Sequence, residues 1–133
     1  MEQVSAGLLW DLFKHIRSWL SNLDRAGQER KKQSVQALRQ VITASRETSV
    51  YIREIRDRGR RDHEVERHLS VLWTNLGFAL EDLGIKKLAK RCQIKGKHWA
   101  DPTRYDEDFI RNADISLDSM EKLSVEMLHR IYR

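Results

Sequence analysis

From residue 65 to residue 83 an apolar side chain returns every three or four positions: Val65, Leu69, Leu72, Leu76, Leu80 and Leu83. That spacing turns one side of a 3.6-residue helix toward a core and leaves the rest to water. It recurs at Val4, Leu8, Leu12, Ile16, Leu20 and Leu23, at Val35, Leu38, Ile42, Ser45, Ile52 and Ile55 (with a small polar Ser and then a seven-residue step in the middle, and with Val41 and Tyr51 beside the line), and at Leu117, Met120, Leu123, Met127 and Ile131, with Leu128 beside Met127. One Pro and six Gly in 133 residues are poor material for a β-sandwich, with its many turns. An all-α fold follows: an antiparallel bundle of four main helices, about 4–23, 28–58, 62–83 and 117–132, with short extra helices at about 86–91 and 106–111. The length suits a single domain, 1–133.

Local signals place the breaks. Gly59, within Arg-Gly-Arg-Arg, reads as a C-cap, and Asp62 as an N-cap with Glu64 and Glu66 in the positive first turn. Leu83-Gly84 interrupts the third stripe, residues 93–105 read as irregular, and Ser116 reads as the last N-cap. The middle of the second helix is small and polar (Thr43, Ala44, Ser45, Thr48, Ser49). Such residues let a neighbour approach closely while the hydroxyls bond back to helix carbonyls. Trp73, Phe78 and Ala79 join the third stripe.

Charge is uneven. From Leu83 to Ala100 there is no acid, yet there are six Lys/Arg and one His; elsewhere acids and bases read as closely alternating. Lys86, Lys87, Lys90 and Arg91 have helical spacing, and Lys95, Lys97, His98 and Trp99 continue into an expected loop. This is the expected contact for a protein partner or for nucleic acid, where lysines neutralise phosphates and a ring stacks on a base. The competing expectation is a solvated face whose Trp plugs the end of the bundle. From Asp101 to Glu126 eight acids meet three bases. A basic segment followed by an acidic one can fold back on its own chain or join two copies head to tail. The net charge of +5 permits an anionic partner without demanding one.

Catalytic and metal spacings are sparse. His63 and His68 are five apart, off the i,i+4 register of a paired ligand, and Glu64 with His68 reads as a surface helix pair. His15, His98 and His129 have no ligand neighbours in sequence, and Lys95-Gly96-Lys97 lacks a phosphate-loop context. Cys92, the single cysteine, reads as a half-buried structural thiol, suited to a reducing, cytoplasmic compartment. No cofactor and no metal are expected. Met1-Glu2-Gln3 has no basic leader pattern, and no apolar run is long enough to span a membrane. The wide apolar face of the first helix, with Leu9, Trp10, Phe13 and Trp19, reads as core or dimer seal rather than membrane contact.

Arg61-Asp62-His63-Glu64-Val65-Glu66-Arg67-His68 resembles the loose Arg…His motif of the HEPN ribonucleases. That resemblance implies an all-helical fold in which Arg61 and His68, contributed across a dimer, cleave RNA without metal. Asp62 stands where the family commonly has a polar residue beside its Arg. The chain as a whole reads first as a non-catalytic interaction or assembly module, second as a nucleic-acid-binding protein using the 86–98 patch, and third as such a ribonuclease.

Overall fold

The computed structural model describes residues 17, 19–23, 25–104 and 116–132. Every regular element among them is an α-helix. Helix α1 is described at residues 17, 19–23, 25 and 26; the rest of the expected 4–23 helix, and the expected 106–111 helix, lie outside the described residues. Then come α2 (Gln28–Arg58), α3 (His63–Asp82), α4 (Lys86–Ala100) and α5 (Leu117–Ile131). At 1.5 Å per residue α2 is about 46 Å long and is the spine of the bundle.

The expected caps are in place. Gly59 takes a left-handed φ of 69° and donates its N–H to the Ile55 carbonyl at 2.7 Å. The Asp62 carboxylate accepts from the N–H groups of Glu64 and Val65, and the Ser116 hydroxyl accepts from that of Ser119. Gly84, with φ 82°, lets Ile85 N–H reach back to the Leu80 carbonyl at 2.9 Å while Gly84 N–H bonds Glu81. Those paired bonds close α3 and turn the chain into α4.

Neighbouring helices run antiparallel. Tyr51 bonds Glu66 at one end of the α2–α3 pair, and Arg30 bonds the Asp82 carbonyl at the other. Arg46 meets Glu121 and Arg39 meets Tyr132 along α2–α5. The core gathers Trp19 and Leu23 of α1, Leu38 and Val41 of α2, Leu69, Trp73 and Leu80 of α3, Leu88 and Cys92 of α4, and Met120 and Met127 of α5. Each fully buried large side chain contributes roughly 1.5–3 kcal/mol relative to exposure. Ser45 and Thr48 bond back to the Val41 and Ala44 carbonyls, and with Ala37 and Ala44 they keep the buried face of α2 thin.

The structure departs from expectation in three places. The segment expected to be a short helix, 86–91, followed by an irregular stretch is one helix to Ala100, because Gly96 serves a close contact and not a turn. A Cβ on Gly96 would stand 3.0 Å from Thr74 N and 3.2 Å from the Ser70 carbonyl; one on Gly77 would stand 3.1 Å from the Ala89 carbonyl. The two glycines let α3 and α4 pack nearly backbone to backbone. Second, Ile52 and Phe78, placed on inward stripes, are exposed. Third, Cys92 is fully buried rather than half-buried.

Candidate functional site

Helix α4 carries all eight residues of the expected basic contact, and its 3.6-residue repeat divides them. Leu88, Ala89, Cys92, Gly96 and Trp99 face inward. Lys86, Lys90 and Lys97 are exposed and fall within about 40° of one another on the outer side. Lys87 and Arg91 lie between, with the Arg91 guanidinium bonding the Lys87 carbonyl at 3.3 Å. Lys95 and Trp99 are buried and His98 is half-buried, so of the four residues expected in a displayed loop Lys97 alone faces outward, and it does so from a helix.

The buried part forms a polar spine. Lys95, 5% exposed, sets its Nζ 5.7 Å from the centre of the Trp73 ring. The Trp73 indole N–H donates to Thr48 at 2.9 Å. Burial pulls the Lys95 amine down to about 8, opposed by the nearby Cys92 sulfur. Burial also pushes the Cys92 thiol well above its ordinary range, which keeps it protonated and poorly nucleophilic. His98 is held down at about 4, first by burial and then by the charges of Lys95 and Arg61, so its imidazole is neutral at physiological pH. Its Nδ1 and the indole Nε1 of Trp99 are buried and meet no hydrogen-bond partner among the described residues. Trp99 meets Tyr51 edge to face at 5.6 Å and His98 at 4.8 Å.

Beside that spine, Glu66 is a hub that the sequence did not reveal. Its Oε2 accepts from the Tyr51 hydroxyl at 2.7 Å and from Arg61 Nε at 2.9 Å, and the Tyr51 oxygen in turn accepts from Asp62 N–H at 2.8 Å. The hub ties α2 to the start of α3. Arg61 is thus spent on Glu66, whereas His68 pairs with Glu47 of α2 at 2.7 Å on the surface, not with Glu64. The two members of the Arg…His pair are held by different carboxylates. A cleft of about 500 Å3 opens here, and it sets Arg61 and Arg67 against Glu66 and Asp101, so its charges largely offset. Among the described residues no group of three or more His, Cys, Asp or Glu gathers as a metal site, and no described helix is long and apolar enough to cross a membrane.

The outer face is different in kind. Lys86, Lys90 and Lys97 meet no carboxylate among the described residues. They lie one step round α4 from Gln93 and Gly96, which face α3. On α3, Val71 and Phe78 lie one step round from Thr74 and Gly77, which face α4. Both rows therefore border the α3–α4 seam on its solvent side, away from the core. The register set by Gly77 against Gln93 and Gly96 against Thr74 puts Phe78 between Lys90 and Lys97 along the helix axis. Val71 and Phe78 are 53% and 54% exposed. The acids of α5 do not fold back onto these lysines: Asp118 pairs with Lys122, Glu121 with Arg46 and Glu126 with Arg130.

Comparison with protein-family models, with curated proteins and with solved structures finds no match to this chain.

Proposed function

We propose that this chain is a non-catalytic helical assembly module that joins copies of itself through the outer face of the α3–α4 pair. The observation that carries this reading is the patch of exposed Val71 and Phe78 flanked by Lys90 and Lys97, which meet no carboxylate among the described residues. An apolar centre with a charged rim is the anatomy of a specific protein contact, in which the ring anchors and the charges set register and partner. The lysines call for acidic groups on a second copy, and the sequence from Asp101 to Glu126 has eight acids to three bases.

A nucleic-acid role for this face has less support. Trp99, the ring that would stack on a base, is buried against Tyr51 and His98. No observation favours the ribonuclease reading over assembly. The test is sedimentation of the wild-type chain beside a Phe78→Glu, Lys90→Glu, Lys97→Glu variant. All three side chains are exposed, so the variant keeps its helical content. Loss of self-association in the variant is the expected result; association of equal strength in both would remove the proposal.

A further inference from the structure

A second cationic surface is built from α2 and α5, with no residue of the α3–α4 face in it. From Arg25 to Arg46 six bases (Arg25, Arg30, Lys31, Lys32, Arg39, Arg46) meet one acid, Glu29. Arg30 is turned to the Asp82 carbonyl and Arg46 to Glu121. Lys31, Lys32 and Arg39 instead line an open groove of about 620 Å3 between α2 and the end of α5. Among the described residues no acidic side chain lines that groove, and none of the three cations meets a carboxylate.

The groove also holds an aromatic ring in the open. Tyr132 is 63% exposed at the rim, and its hydroxyl accepts a hydrogen bond from the Arg39 guanidinium at 3.2 Å. That bond orients both the ring and the charge beside it. Val35 and Ile131 form an apolar floor. Lys31 and Arg39 stand eight residues apart on one side of α2, so their Cα atoms are about 12 Å apart along the axis.

We infer that this groove binds single-stranded nucleic acid, with Lys31, Lys32 and Arg39 on successive phosphates and a base stacked on Tyr132. A row of cations with no acid between them tracks a phosphodiester backbone. An exposed ring within that row gives the sequence-tolerant stacking that a bare polyanion site lacks. An acidic peptide would use the cations and leave the ring idle, and a duplex keeps its bases stacked on each other. The site is separate from the α3–α4 face, so it does not depend on self-assembly.

The experiment is fluorescence anisotropy of a labelled oligothymidylate of about 12 nucleotides, a length within the usual site sizes, titrated with the full chain. The salt dependence should have a log–log slope of about −2, from roughly 0.7 per phosphate neutralised on a single strand. Replacing Lys31, Lys32 and Arg39 together by Gln should abolish binding. Tyr132→Ala should weaken it roughly tenfold while keeping the salt slope, because stacking and charge are separate contributions. Arg53→Gln, Arg56→Gln, Arg58→Gln, which removes the same charge from exposed positions at the far end of α2, should bind as wild type. The inference is overturned by absence of binding, by binding that follows those arginines instead, or by a polyglutamate competitor that displaces the oligonucleotide at equal charge.

Discussion

The ammonium of Lys95 lies over the ring of Trp73, 5.7 Å from its centre, inside a helical bundle where no carboxylate among the described residues meets it. A buried cation with only a ring for company is held at a cost, since desolvation outweighs what a cation–π contact returns. Stability should show it.

Lys95 has a folded value near 8 against 10.5 when unfolded, so the unfolded chain binds more protons between those values. Stability then rises with pH from 8 upward. Cys92 acts in the opposite sense: its raised folded value makes the unfolded chain lose its proton first, from about 9 upward. The chain should gain about 1 kcal/mol between pH 7.5 and 9 and then level off. Lys95→Met, an apolar replacement of similar volume, should stabilise by about 1–3 kcal/mol at pH 7 and remove the rise. Urea midpoints across the range read both. A midpoint that falls from pH 7.5 to 9 contradicts the assignment.

Gly96→Ala should be destabilising although alanine is the better helix former. The new Cβ meets Thr74 and the Ser70 carbonyl, at a contact where the Ser70 hydroxyl already donates to the Gly96 carbonyl at 2.9 Å. Overpacking of this kind costs about 1–3 kcal/mol, against a propensity gain near 1. Adding Thr74→Ala relieves the side-chain part of the clash and should recover a portion of the loss. Thermal melts of the single and double variants check it; a Gly96→Ala chain that melts higher than wild type refutes the close contact.

Glu66 and His68 should behave oppositely. Glu66→Ala removes the main acceptor of the buried Tyr51 hydroxyl, which keeps its bonds to the Asp62 backbone, and the partner of the half-exposed Arg61, at about 1–2 kcal/mol. His68→Ala removes only an exposed pair with Glu47 and should change stability by less than about 0.5 kcal/mol. Chemical denaturation of both variants tests this. A large effect at His68 would show a structural role that the surface geometry does not supply.

What was legible in the sequence was local. Gly59, Asp62 and Ser116 act on their own helix ends, so their cap chemistry could be read in place. The course of α4 was not legible, because Gly96 and Lys95 break its apolar line for reasons that lie on α3: Thr74 and Ser70 leave no room for a Cβ, and Trp73 receives the ammonium. Periodicity also gave α3 a stripe wider than its neighbours cover, and only packing shows that Phe78 is the edge left outside. The Glu66 hub joins residues 15 apart across a turn, beyond the reach of any spacing rule. The groove of Lys31, Lys32 and Arg39 was within reach: a running charge count along 25–46 marks it, where a reading of close alternation passes over it.

Light scattering coupled to size exclusion reads self-assembly through the α3–α4 face without any variant. The expected mass is a multiple of the 15.8 kDa chain at low salt and declines toward one chain as salt screens the lysine rim. A mass of one chain at every concentration and salt would contradict it.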